Sequence, residues 1–366
     1  MPDTHHRKPE PSADPGSSGS LRPFLIWLGS FYSLWLALVV LGSLWPMITE
    51  HWPIAAAMAA GSYFAGSTPM GGGSVGFPVL VLLLGESAAL GRDFSLAVQS
   101  VGMVSAAVFI FATRRPLEWS LLKWAMIGSL AGVPLGAAFI APLVGDLQIK
   151  LLFAVIWCSF GLMNLIKLKG IVNAQGITAT STSLDREIGL LIGLLGGVAT
   201  SITGVGIDMI LYATLVLVYR SDLKIAVPTS VVAMAFASLV GFISHAALGN
   251  VSAEVFGHWI AAAPIVVVGA PIGAWVVNKI PRTPTMLVVS GLCVGQFVWT
   301  IFNQHVVGVW LIAALAGVVV FNGFFHLMHK AGGRMGATHQ RLIEPDDTEV
   351  TILDPPGIDP PNQPMA

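Results

Sequence analysis

Two glycine-broken stretches interrupt long apolar runs, and their residue types suit the binding of an anion. Thr68-Pro69-Met70-Gly71-Gly72-Gly73-Ser74 breaks the run 52–85, and Thr203-Gly204-Val205-Gly206 breaks the run 186–220. Glycine and proline both interrupt helices. A half-helix starting after Gly73 or Gly206 turns its free N–H groups and positive dipole end toward the break, which favours negative charge. The glycines let the backbone come close, while Ser74, Ser100, Thr203, Thr229 and Ser230 supply hydroxyl donors. Gln99 is either a further substrate ligand or an interhelical hydrogen-bonding residue. Asp208 follows the second break inside an apolar run. It either carries a coupling proton, as an intramembrane carboxylate suggests, or caps the N–H groups of its own helix. His245 either shares that proton relay or marks a helix end near the outer surface.

The elements holding these residues must lie in a membrane. The chain has 366 residues, of which 55% are hydrophobic and only 10% charged, and its mean hydropathy is +0.78. Soluble domains carry about 25% charged residues. Apolar runs at 24–48, 52–85, 93–112, 118–143, 147–168, 186–220, 222–248, 255–278, 284–302 and 305–328 provide eight or more spans. No Arg or Lys falls mid-span in this division, so a fixed cationic clamp is not expected, and Glu86 and Asp93 read as solvated. The net charge of -1 and the lack of a basic stripe give no nucleic-acid signal.

The two broken runs either cross the membrane or return. With the N-terminus in the cytoplasm and both runs returning, 16 of the 18 Lys and Arg lie inside, and only Arg92 and Lys150 lie outside. If both runs cross, the inside holds 12. The positive-inside rule selects return, with eight full crossings and both termini cytoplasmic. The halves also align. Gly71-Gly72-Gly73 matches Gly204-Val205-Gly206, and Gly132-Val133-Pro134-Leu135-Gly136-Ala137 matches Gly269-Ala270-Pro271-Ile272-Gly273-Ala274. One returning hairpin plus three crossings inverts the second half, and paired broken helices in an inverted repeat point to a transport site. The other reading is that these glycines serve close helix packing.

The stretch Gly71–Pro78, the stretch Gly204–Met209, the run Ala226-Val227-Pro228-Thr229-Ser230, and Ser244-His245 with Gly249 resemble the sulfite exporter TauE/SafE family over about 52–302. The resemblance implies a transporter of the inner-membrane type whose substrates include sulfite, sulfoacetate and related anions.

The expected fold is an all-α polytopic membrane protein of two inverted repeats, each a broken re-entrant helical hairpin plus three transmembrane helices, with extra flanking helices. Residues 1–22 and 331–366 read as disordered cytoplasmic tails, and 23–330 as the transporter domain, with repeats at 52–168 and 186–302. The expected function is proton-coupled secondary transport of a small anion across the inner membrane, without enzymatic activity. Substrate contacts are expected at Gly71, Gly72, Gly73, Ser74, Gln99, Ser100, Thr203, Gly204, Gly206, Thr229 and Ser230, and proton coupling at Asp208 and His245. The expected partners are the anion and the lipid bilayer, with no cofactor. No metal centre is read: Asn322, His326 and His329 share a helical spacing but lack a third strong ligand. Two rivals remain open, a passive anion channel and a thiol–disulfide electron carrier using Cys158 and Cys293.

Overall fold

The structure, a computed structural model, describes residues 19–68, 70–172, 182–276 and 282–343. These residues contain helices and no strands. Thirteen α-helices follow one another: α1 (Arg22–Leu41), α2 (Trp45–Glu50), α3 (Trp52–Ser67), α4 (Gly73–Pro78), α5 (Ala88–Ala112), α6 (Trp119–Leu135), α7 (Asp146–Val172), α8 (Thr182–Thr203), α9 (Ile207–Leu217), α10 (Leu223–Ala247), α11 (Ala253–Val276), α12 (Arg282–Asn303) and α13 (Val309–Ile343). Nine helices among the described residues are long and apolar enough to cross a membrane. Of these nine, α8 is the first arm of a hairpin.

Local chemistry sets several boundaries. Ser87 caps α5 by accepting a hydrogen bond from Leu90 N at 3.2 Å. Asp222 caps α10 through Lys224 N at 2.8 Å. Prolines near the start open α1, α2 and α3, where a missing N–H costs nothing. Inside helices proline removes a hydrogen bond, and π-helical turns follow, at Val79–Leu83 after Pro78 and at Gly136–Ile140 after Pro134.

Side-chain contacts fix the helix directions. Gly61 lies on Val75, Gly72 on Ala65 and Gly76 on Met58, so α3 and α4 are antiparallel arms. Gly196 on Ile207 and Gly206 on Ala199 give α8 and α9 the same relation. The first arms pack in exchange. Gly189 meets Leu121 and Trp124 while Gly136 meets Val198 and Ser201, so α8 runs alongside α6 in the same direction. Gly257 meets His51 while Gly273 meets Tyr63 and Ser67, so α3 runs alongside α11 in the same direction. At the centre α5 and α10 are antiparallel, with Asp93 beside His245 and Leu96 beside Gly241.

The glycines aligned above sit at these packed surfaces. A Cβ at Gly132 would strike the Leu194 carbonyl, and one at Gly273 the Tyr63 carbonyl. Close backbone approach is therefore their role.

Burial separates core from rim. The apolar windows of α5 and α10 are each 72% buried, against 6% for α1 and 11% for α13. Exposed Leu25, Ile26 and Leu34 on α1, and Ile312, Val319 and Leu327 on α13, form the apolar outer surface. The expected tail boundary at residue 331 falls within α13, which continues to Ile343. Residues 1–18 and 344–366, read as tails, lie outside the described residues.

Candidate substrate and coupling site

Both hairpin tips meet the first half of α5. The turns need glycine there: φ is +62° at Gly71, +81° at Gly204 and +145° at Gly206, where other residues are strained. A Cβ on Gly73 or on Gly204 would lie 2.7 Å from the Ser95 Cβ in either case, so one small residue of α5 touches both tips. Four residues on, Gln99 is buried and donates from Nε2 to Ser95 O at 2.9 Å and to Gly204 O at 2.8 Å. Two carbonyl acceptors thus fix the orientation of its amide. Its Oε1 faces Gly71, close enough to strike any Cβ there.

Asp208 reaches the same place from the start of α9. It is fully buried. Its Oδ1 accepts from Gly206 N at 3.2 Å and Met209 N at 3.0 Å. The cap reading is therefore realised by one oxygen. Oδ2 lies 3.1 Å from the point where a Gly71 Cβ would stand. Neither Asp208 Oδ2 nor Gln99 Oε1 has a hydrogen-bond partner among the described residues. Two unpartnered acceptors therefore border the tip of the first hairpin, and leaving such atoms buried and unpaired costs about 1–3 kcal/mol each.

The other expected contacts divide. Gly71, Gly72, Gly73, Gly204 and Gly206 form the tips. Ser74 Oγ bonds Gly71 O at 2.7 Å, and Thr203 Oγ1 lies 2.7 Å from Val205 O, so these hydroxyls stiffen the turns. Thr200, absent from the expected set, accepts from Ile207 N at 3.1 Å through its Oγ1. Ser100 bonds Ala97 O, and Ser230 bonds Val227 O. Thr229 is held elsewhere: its Oγ1 accepts from Glu118 N at 3.0 Å, at the loop beyond the far end of α5. A cavity of about 60 Å³ adjoins the first tip, lined by residues including Ser74, Gln296 and Cys293.

His245, on α10, belongs to a second cluster that it forms with Arg92 and Asp93 of α5. Its buried ring places Nδ1 2.8 Å from Asp93 Oδ1. Arg92 grips that carboxylate with Nε at 2.8 Å and Nη2 at 3.1 Å. The expectation that Asp93 is solvated is corrected: Asp93 and Arg92 are both buried. Hydropathy begins the span at residue 93, but the Ser87 cap starts α5 at Ala88 and carries the pair into its second turn. Asp93 stands about 9 Å along α5 from Gln99 at 1.5 Å per residue. Arg92 also touches the second tip, its carbonyl lying 3.0 Å from a Cβ placed on Gly204. Glu86, also expected to be solvated, faces Glu254 and His258. Burial and then the Glu254 charge push its carboxyl up, against the pull of His51.

The base of the second hairpin is tied by Tyr219, whose hydroxyl donates to Asp185 Oδ1 at 2.7 Å. Burial and that bond push the phenol well above its ordinary range.

A family model described as Sulfite exporter TauE/SafE matches residues 53–300. The match runs from the start of α3 nearly to the end of α12 and takes in both hairpins, Gln99, Asp208 and His245. No curated protein and no solved structure matches the chain.

Proposed function

The chain belongs to the sulfite exporter TauE/SafE family, whose members are transporters and not enzymes, and from that premise we propose that it carries a small anion across the inner membrane. The anion is sulfite, a sulfonate or a related organic anion. It binds at the meeting of the two hairpin tips, and a proton on Asp208 couples to its passage. The observation that carries this reading is the convergence of Gly71, Gly204, Gln99 and Asp208 on one stretch of α5. One proton on Asp208 Oδ2 would give Gln99 Oε1 a donor and relieve both unpartnered acceptors together. Loss of that proton sets two bare acceptors against one another beside Gly71, which provides a physical link between protonation and the site.

The architecture of this proposal is an inverted repeat, α3–α7 against α8–α12, in which both hairpins re-enter from opposite faces. The exchanged parallel packing of α3 with α11 and of α8 with α6, about the antiparallel pair α5 and α10, supports it. Such an arrangement puts irregular backbone at mid-depth, where protein covers it. Both termini lie in the cytoplasm, in keeping with the positive-inside count. His245, through Asp93, is the proton's second station.

Flux into proteoliposomes tests the proposal. Sulfite, sulfoacetate, sulfate, thiosulfate and acetate are each presented with and without a pH gradient. Transport of one anion that responds to the gradient is expected. Flux that ignores the gradient would replace the carrier with a passive channel. Absence of flux for all five anions in folded protein would shift weight to Cys158 and Cys293. Those thiols are buried between α7 and α12.

A further inference from the structure

We propose that Glu86, Glu254 and His258 form a binding site for a divalent transition-metal ion, at the end of the molecule where α5 and α11 begin. One ligand atom from each residue lies within 4.8 Å of the others. Two donors about 2.1 Å from one ion stand at most about 4.2 Å apart. Small side-chain rotations therefore close the cluster around an ion. Glu254 and His258 are four residues apart in the first turns of α11, which puts them on one face of the helix. Glu86 comes from the loop between the first hairpin and α5.

A second observation points to a ligand. His258 is 6% exposed, and neither of its ring nitrogens has a hydrogen-bond partner among the described residues. A buried imidazole gains a partner when one nitrogen binds a metal. Among the described residues no salt bridge engages Glu86 or Glu254, so the two facing carboxylates lack a paired cation. His51 stands beside them, its ring edge-on to His258 with centroids 4.4 Å apart. Its Nδ1 lies 2.8 Å from Met47 O. When Nδ1–H donates there, Nε2 keeps a lone pair, as in the outer-shell arrangement of metal-site histidines. His51 or water can then complete the coordination.

One imidazole and two carboxylates suit zinc(II) and its first-row neighbours better than calcium or magnesium, which take oxygen ligands alone. The bound ion fastens the exit of the first hairpin to the start of α11. On the transport reading this is an external brake on that hairpin, but binding itself does not depend on that reading.

The experiment uses the full chain without a polyhistidine tag, purified in detergent and stripped with chelator. Zinc chloride is titrated by calorimetry into the wild type, Glu86→Gln, Glu254→Gln and His258→Gln. One zinc per chain is expected at this site, with affinity at least tenfold weaker in each variant. Zinc should also raise the thermal midpoint of the wild type and leave the variants unmoved. The midpoint without zinc reports whether a variant folds, and exposed Glu254 is the substitution least able to disturb folding. His5 and His6 lie outside the described residues, and binding there would survive all three substitutions. Zinc affinity and thermal shift unchanged in folded Glu254→Gln and Glu86→Gln would overturn the proposal. A failure of transport in liposomes would leave this result untouched.

Discussion

The two oxygens of Asp208 have different surroundings. Oδ1 holds the start of α9 through Gly206 N and Met209 N, and Oδ2 faces Gly71 with no partner among the described residues. Asn keeps an acceptor for the Oδ1 bonds but cannot release a proton. Asp208→Asn should therefore fold normally and carry anion at a rate indifferent to the pH gradient; a gradient response equal to wild type would remove Asp208 from coupling. The glycines make a second contrast. At Gly71 a methyl group would meet Gln99 Oε1 on a backbone with φ +62°, whereas at Gly72 it would find ordinary contacts at 3.6 Å and beyond. Gly71→Ala should lose transport and about 1–2 kcal/mol of stability from the left-handed backbone alone. Gly72→Ala should retain both, and measuring flux alongside thermal unfolding separates the two cases. Asp93 belongs to a buried ion pair, where removing one partner leaves a charge unmatched. Asp93→Ala should destabilise the protein by about 3–5 kcal/mol, which unfolding in detergent would register. A loss below 1 kcal/mol would mean that Arg92 finds another partner or water.

Among the elements, α5 does most to assemble the site. Arg92, Ser95 and Gln99 follow one another at helical spacing and meet the second tip, both tips and both tips in turn. Its position depends on helices packed backbone to backbone. Gly128, Gly132 and Gly136 admit α8 against α6, and Gly269 and Gly273 admit α3 against α11. A branched side chain there would push the first arm of a hairpin outward, and with it the tip. Gly132→Leu should cost roughly 1–3 kcal/mol from overpacking. It should also slow transport although it lies far along the chain from either break. Wild-type flux in that variant would show that the tip position tolerates movement of α8. The glycine repeat is legible in the sequence, yet its partners are not, because Leu194 and Tyr63 are distant in the chain.

At the scale of the whole molecule, the first arm of each hairpin packs on a helix distant in the chain, α3 on α11 and α8 on α6. On the transport proposal, a shift of either distant helix would carry the attached tip with it, relative to the junction on α5. Replacing Cys158 and Cys293 together with Ser should leave such transport intact, since both are buried where α7 meets α12 and serine keeps the shape of Cys293 beside the small cavity at the first tip. Loss of flux in folded double variant would favour thiol chemistry. The sequence by itself determined the membrane class and the two glycine-rich breaks, and it showed Asp208 as a carboxylate within an apolar run. Those signals are local composition and short-range order, which hydropathy and glycine spacing carry directly. Tertiary structure alone decided that Gln99 Oε1 and Asp208 Oδ2 border one tip, and that Thr229 serves the loop at Glu118. It likewise decided that Arg92 and Asp93 are buried, and that Glu86, Glu254 and His258 gather at one end. A side chain's partner depends on which distant helix packs beside it. Hydropathy averages over that difference, since a lone charge in a window reads the same whether water or an opposite charge receives it.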